Sequence, residues 1–492
     1  MTGLRPDPAR PALAHHASRG TVLTFGGQWG RTALQLVSTL VLARLLTPAD
    51  FGLVAMVTAI VGVAELVREF GLTGAIVRER EIDESSWAAL YRFSFGLALG
   101  IALLTAAAAP LIAALYGEPR LIGLTVALAP AVLFNGIAMP LQARLQRQLR
   151  FGQLALADVV SMAVGVAGAV TAATLGAGVW SLVLLTGLAA LYRAVAMAVI
   201  VRPTLRGARR VRELLPLIST GGSIFGVQLL NYAARNLDNV IIGRWLGPTA
   251  LGFYSRAYAL LMMPISQLNG PLARVGVPVL GKLQDEPEAF RRYVRTAMLV
   301  LGYAALPTFA LAAAVAGPLV EVLLGAGWAP VAPLFALLCL AGAAQALGNV
   351  SGWLYVALGR AHRQLVWFAA TKPLVIASFP VGLWLGGLEG LALAYGVVSC
   401  ALLVPGFAVA TRGTFVTLSD SFAPVLRPAL LCPFVFGAAA LVVALVPGPA
   451  ILTLPAGVAA GVLVAGAALL IPAYRADLSR LSTVIASARR PR

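Results

Sequence analysis

Residues 44–52 read RLLTPADFG, and residues 244–252 read RWLGPTALG. Arg44/Arg244, Leu46/Leu246, Pro48/Pro248 and Gly52/Gly252 agree at a constant offset, and so do Phe25/Phe225, Gly26/Gly226, Gln28/Gln228 and Ala33/Ala233. An internal repeat of this length sets the architecture, provided the helices between its copies can be counted.

The surrounding composition says what is repeated. Of 492 residues, 60% are hydrophobic and 11% charged, whereas a soluble domain is about a quarter charged. A spanning helix needs about 20 apolar residues. Fourteen runs qualify, at about 21–43, 50–72, 87–117, 121–140, 154–177, 179–201, 214–243, 249–272, 296–324, 330–358, 364–386, 388–411, 428–446 and 449–472. They are long and apolar on most sides, without the period-two alternation of a membrane barrel strand, so the expected class is an all-α polytopic membrane protein. The first run has no clean cleavage site and is expected to remain as a span.

The basic residues orient these spans. With the N-terminus in the cytoplasm, 27 of the 37 Lys and Arg fall on the cytoplasmic side, and three, Arg44, Arg120 and Arg244, fall in outward loops. This asymmetry puts both termini inside. It also accounts for the net charge of +18 without a nucleic-acid partner. Six helices separate the two motif copies, so the copies share one orientation, as in a parallel repeat. The expected organisation is a cytoplasmic tail (1–20), a six-helix lobe (21–201), a basic linker (202–213), a second six-helix lobe (214–411), an extra helix pair (428–472) and a cytoplasmic C-tail (473–492).

Polar side chains inside the first helix of each lobe are the candidate site. Gln28, Arg31 and Gln35 lie on one face of the first; Gln228, Asn231, Arg235 and Asp238 lie on one face of the seventh, at matching offsets. Two readings are open: a water-filled cavity between the lobes, or polar groups that hold helices together. Arg256 and Lys372 also lie deep within spans, whereas Arg92 and Arg193 are near the cytoplasmic side, where a long side chain can snorkel. Glu65, Arg68 and Glu69 form a candidate ion-pair cluster. Gln345 and Asn349 have the spacing to hydrogen-bond across helices. The stretches 141–153 and 284–297 are amphipathic and are expected at the inner membrane interface. Gly457 and Gly461 form a G-x-x-x-G.

Absent motifs narrow the function. The chain has no phosphate-binding G-x-x-x-x-G-K-[ST], no H-E-x-x-H and no G-x-S-x-G. Cys339, Cys400 and Cys432 lie inside spans and have no metal spacing. The outward loops are too short to build a pocket, and no metal or cofactor is expected.

The stretches LARLLTPADFGLVAM (42–56), FGLTGAIVRER (70–80), RNLDNVIIGRWLGPTALGFYSRAYALLMMP (235–264) and QDEPEAFRRY (284–293) resemble Wzx-type polysaccharide flippases. Within the multidrug/oligosaccharidyl-lipid/polysaccharide exporter superfamily, the similarity is to the exopolysaccharide exporter branch, over most of residues 20–412. The resemblance implies a V-shaped pair of six-helix bundles in the bacterial inner membrane. It implies an undecaprenyl-diphosphate-linked repeat unit as cargo, alternating access as mechanism, and a polysaccharide polymerase and export machinery as partners. It further implies that cavity cations meet the diphosphate; the residues in place are Arg31 and Arg235, then Lys372 and Arg256. A drug or cation antiporter of the same superfamily and a membrane glycan polymerase or ligase are the competing expectations.

Overall fold

The computed structural model describes residues 9–78, 83–204 and 222–479, leaving out the side chains of 9–25, 27, 67–78, 222–227 and 233–235. Most of the expected basic linker and the ends of both tails lie outside the described residues. The first half of the chain folds as α1 (Ala9–Leu45), α2 (Pro48–Arg78), α3 (Glu84–Ala107), α4 (Ala109–Tyr116), α5 (Leu121–Arg147), α6 (Phe151–Thr174) and α7 (Trp180–Val201). The second half folds as α8 (Gly222–Lys282), α9 (Pro287–Ala314), α10 (Ala316–Leu324), α11 (Val331–Ala357), α12 (Ala361–Ala401), α13 (Leu403–Thr411), α14 (Leu418–Leu445) and α15 (Ala450–Ala467). No strand occurs among the described residues. Ten helical segments among them are long and apolar enough to cross a membrane. In a bilayer only a helix, or a closed barrel, satisfies every backbone group internally.

The opening motif is a helix stop followed by a restart. In the first copy α1 ends at Leu45 and α2 begins at Pro48, where proline loses no hydrogen bond and its fixed φ suits the first helical position. Thr47 caps the new helix: its backbone N–H donates to Asp50 Oδ2 at 2.9 Å, and its hydroxyl accepts from the Asp50 N–H at 3.4 Å. This reciprocal pair is a capping box. In the second copy Gly247 stands where Thr47 does and breaks α8 with φ 81° and ψ −177°, a conformation that glycine adopts without strain. The other sharp break, Gly386–Gly387 in α12 (φ 59° at Gly387), lies in GLWLGGLEG and lets the helix fold back, so that Gly382 and Gly390 bring their backbones together. The in-span prolines Pro130, Pro307, Pro373, Pro380 and Pro433 sit inside continuous helices.

The chain divides into two compact units. The first contains residues 1–229 together with Gly243–Gly252; the second contains Leu230–Ile242 and everything from Phe253 onward. Both copies of the motif therefore belong to the first unit, and there they meet reciprocally. A Cβ on Gly52 would lie 1.8 Å from the Pro248 carbonyl oxygen, and a Cβ on Gly252 would lie 1.8 Å from that of Pro48. The recurring P-x-x-x-G is thus a pair of helix starts, each lacking a side chain where the other's first carbonyl must pass. Gly243 fits equally closely against Tyr116 and Met56, and Tyr116 donates its hydroxyl to the Met56 carbonyl at 3.2 Å.

In the first unit α6 packs along α7 and α1, and α5 along α3 and α7, around Trp87, Leu90, Leu141, Leu145 and Met197. In the second, α9 packs on α14 and α11 on α12, around Phe290, Met298, Leu347, Trp353 and Phe407. Neither amphipathic stretch forms a separate surface helix. Residues 141–147 are the end of α5, which turns at Leu149 (φ 56°) into α6. There Arg144 pairs with Glu84, donates to the Tyr91 hydroxyl and lies 5.6 Å above the Trp87 ring. The second stretch begins α9, and Arg295 Nε reaches Asp420 at 2.8 Å, the residue that caps α14 with Thr417. The Gly457/Gly461 face is consumed inside the second unit, against Val443, Val315 and Leu311.

Candidate functional site

A cavity of ≈ 250 Å³ opens inside the second unit, and one helix face supplies a third of its lining residues. On α12, Gln364, Trp367, Phe368, Thr371, Lys372 and Val375 line it, at the i, i+3, i+4, i+7 spacing that puts them on one side. Opposite, α11 contributes Gln345, Gly348, Asn349, Ser351 and Gly352. Tyr395 and Ser399 come from α12 beyond its break, Leu403 and Gly406 from α13, and Asn231 from the first part of α8.

The polar groups are partly spent and partly available. Gln345 Nε2 donates to the Tyr395 hydroxyl at 3.1 Å, tying α11 to α12. Thr371 and Ser351 donate to the carbonyls of Trp367 and Gly348, at 2.8 and 2.7 Å, so their oxygens keep lone pairs to accept with. Lys372 Nζ lies 4.9 Å from the centre of the Phe368 ring, within range of a cation–π attraction. At 1.5 Å per residue, Lys372 is about 16 Å along α12 from Ala361, inside a segment long and apolar enough to cross a membrane. A charge at the centre of such a span costs about 2.5–3.5 kcal/mol on insertion scales. Among the described lining residues Lys372 is the one that carries a charge, and none is acidic.

Of the residues singled out in the sequence, Asn231, Gln345, Asn349 and Lys372 meet at this cavity. Asp238, on the same face of α8 as Asn231, does not line it. Only 1% exposed, Asp238 accepts from the Tyr254 hydroxyl and the Asn239 N–H, each at 2.7 Å, clasping the two parts of α8 across the Gly247 break. From there an aromatic series runs back to the cavity: Tyr254 stacks on Tyr258 at 6.2 Å, and Tyr258 lies 6.4 Å from Tyr395. Arg256 is half-buried and outside the lining, and Gln228 is exposed. The Arg235 side chain lies outside the described residues.

In the first unit Gln28, Arg31 and Gln35 are all exposed on α1, while Ser38, at the next matched offset, is buried. Glu65 accepts from Asn135 Nδ2 at 3.3 Å; the Arg68 and Glu69 side chains lie outside the described residues. Arg193, expected to snorkel, instead pairs with Asp158 at 2.8 Å and donates to Gln142 at 2.8 Å. An ion pair with an additional hydrogen bond offsets the partial burial of this charge. Arg44, Pro48, Gly52, Arg244, Pro248 and Gly252 are accounted for by the paired helix starts, where both arginines are exposed. Sequence reasoning missed Gln364, Trp367, Phe368, Thr371 and Tyr395. The signal for the first four was the one-sided spacing on α12 around Lys372; Tyr395, beyond the break in α12, had none.

The comparisons with known proteins agree with this architecture. The chain is 25% identical over 389 residues to the "Lipopolysaccharide biosynthesis protein WzxC" of Escherichia coli (strain K12), covering 76% of this chain and 77% of that protein. It is 25% identical over 423 residues to the "Teichuronic acid biosynthesis protein TuaB" of Bacillus subtilis (strain 168), covering 86% and 88%. Among solved structures it matches the lipid II flippase MurJ in its inward closed conformation with a TM-score of 0.70 at 11% identity, over 91% of this chain and 99% of that one. An inward-facing multidrug resistance MATE family transporter of the MOP superfamily matches with a TM-score of 0.62 at 17% identity, over 78% and 94%. At such identities these structures establish the fold. The sequence profile described as "Polysaccharide biosynthesis protein" matches residues 41–333, more than half of the chain, and the chain therefore belongs to the polysaccharide biosynthesis protein family.

Proposed function

We propose that this chain is a flippase that moves undecaprenyl-diphosphate-linked oligosaccharide repeat units from the inner to the outer leaflet of the bacterial inner membrane, for surface polysaccharide synthesis. The observation that carries the reading is the second unit's cavity. It sets one cation, four carboxamides and several hydroxyls around one open space, with no acidic group among the described lining residues. An anionic, polyhydroxylated headgroup matches that chemistry. A cation antiporter would be expected to place carboxylates there, and a polymerase or ligase would need an acid/base or nucleophilic set that this lining does not supply.

In this reading fourteen helices span the membrane with both termini in the cytoplasm. Residues 21–201 and 214–411 act as two lobes that expose the cargo to each side in turn, and 428–472 is an added pair. Arg31 and Arg235 receive the diphosphate, because a guanidinium offers a donor fork that suits phosphate oxygens. The polymerase and export machinery downstream receive the product.

The test uses vesicles containing only this protein and a lipid-diphosphate oligosaccharide labelled in one leaflet. Appearance of the label in the opposite leaflet, without new glycosidic bonds, is the expected result. Bond formation, or export of a cationic dye with no movement of the lipid, would overturn the reading in favour of one of its competitors.

A further inference from the structure

We propose that the start of α12 and the loop between α13 and α14 form a site for the phosphodiester headgroup of an anionic phospholipid, held by Arg360, Arg363 and Arg412. In the proposed orientation the site lies at the cytoplasmic end of the second unit, beside the inner leaflet. It is distinct from the cavity and independent of the cargo.

The backbone brings these charges together. Arg360 donates to the carbonyls of Arg412 and Gly413, at 3.0 and 2.8 Å, and Arg363 donates to the same Arg412 carbonyl at 2.6 Å. Gly413 turns the loop there at φ 72°, a conformation that favours glycine. Two guanidiniums thus converge on one carbonyl oxygen, and the residue that owns this oxygen carries a third. From the side of α9, Arg291 donates to the Phe415 carbonyl, so the loop is pinned in place from two directions.

The charges are not balanced within the unit. Arg291 and Arg295 pair with Asp420, and Arg291 also lies 3.4 Å from Glu288. Arg360, Arg363 and Arg412 pair with no carboxylate among the described residues. A carbonyl oxygen offers a dipole, not a net charge, so the three cations still repel one another. Each guanidinium has five N–H donors. Arg360 spends two on the loop and Arg363 one, and the Arg412 side chain donates to nothing among the described residues. The free forks suit the two unesterified oxygens of a phosphodiester. Because Arg360 and Arg363 are already held by the loop, less side-chain freedom is lost when the anion arrives.

The surroundings distinguish a lipid from a soluble anion. Phe415 and Leu418 are exposed on the same loop and helix start. A free phosphate would leave them in water, whereas the glycerol and acyl chains of a phospholipid would cover them while its phosphate meets the arginines. An anionic leaflet also concentrates such headgroups at a basic surface.

The test measures the melting temperature of the delipidated full chain in a neutral detergent, titrated with phosphatidylglycerol, phosphatidylcholine or glycerol 3-phosphate. Phosphatidylglycerol should stabilise the protein saturably. Phosphatidylcholine, whose choline cancels its charge, should do much less, and glycerol 3-phosphate at the same concentrations should do nothing. Arg412→Gln removes no internal hydrogen bond among the described residues, and Arg363→Gln leaves Arg360 on the shared carbonyl, so both should melt with the parent when no lipid is present. Each should raise the phosphatidylglycerol concentration for half-maximal stabilisation by about tenfold or more, as for loss of a charge-assisted partner. Arg150→Gln, which removes an equal charge from the first unit, should not. Counting retained lipids by native mass spectrometry gives the same comparison without relying on melting. Equal stabilisation by glycerol 3-phosphate would make this a site for soluble anions, and an equal loss in Arg150→Gln would leave only net charge at work. Either result, equal stabilisation by phosphatidylcholine, or no response of the parent to phosphatidylglycerol overturns the inference.

Discussion

Replacing Gly252 with alanine tests whether the repeated motif is a backbone contact. The added Cβ would lie 1.8 Å from the Pro48 carbonyl oxygen and 2.6 Å from its carbonyl carbon. An ordinary carbon–oxygen contact needs about 3.2 Å or more, so the two helix starts must separate by roughly 1.4 Å. Neither start can yield freely. The Thr47–Asp50 capping box holds one, and Gly243, four residues before Gly247, is wedged against Tyr116 and Met56. Overpacking of this kind costs about 1–3 kcal/mol, and a unit of this size loses about 2–4 °C of melting temperature per kcal/mol. Gly252→Ala should therefore melt several degrees lower in a thermal-shift assay on the detergent-purified protein. Gly52→Ala should behave alike, since its clash is the mirror of the first. The double variant decides the matter. One separation relieves both clashes, so its cost should be close to that of a single variant, a coupling of about 1 kcal/mol or more. Costs that simply add, or single variants that melt with the parent, would mean that the two glycines do not share one contact.

Three further outcomes are expected. Asp238→Ala should lower stability by about 1–3 kcal/mol, because it strands the buried Tyr254 hydroxyl, whereas Asp238→Asn should cost less, since an amide oxygen still accepts; equal melting of the alanine variant and the parent would remove the clasp. Arg31→Glu and Arg235→Glu should abolish delivery of the lipid-linked glycan at normal protein abundance, with Arg→Lys at either site retaining part of it, as charge survives but the planar fork does not. Normal export by both Glu variants would detach these arginines from the diphosphate. A reporter fused to the C-terminus should behave as a cytoplasmic one, and a periplasmic signal would show that the spans are miscounted, most directly in the final pair.

The helices were legible because in a bilayer composition and secondary structure are nearly one question. A long apolar run has no other way to satisfy its backbone, and RLLTPADFG and RWLGPTALG mark a stop and a restart through proline and glycine chemistry alone. Why the motif occurs twice was not legible: reciprocal contact is a property of two segments 200 residues apart in the sequence, and each glycine looks like an ordinary loop residue until Pro48 and Pro248 are beside it. The site was legible in part, for a related reason. Charge and matched positions in the repeat put Arg31 and Arg235 ahead of Lys372. Yet the cavity belongs to the second unit and is lined mainly by α11 and α12. Its wall is written along α12 as Gln364, Trp367, Phe368, Thr371, Lys372 and Val375, a face in which the charge is a minority and the aromatic residues pass for lipid-facing ones. Gln345 and Asn349 signalled the opposite wall, and the hydrogen bond expected of them exists, from Gln345 to Tyr395. That bond does not exclude a second role, because the same two residues line the open space. A polar pair inside a membrane bundle can hold two helices together at one edge of a cavity and still present its remaining donors and acceptors to what enters.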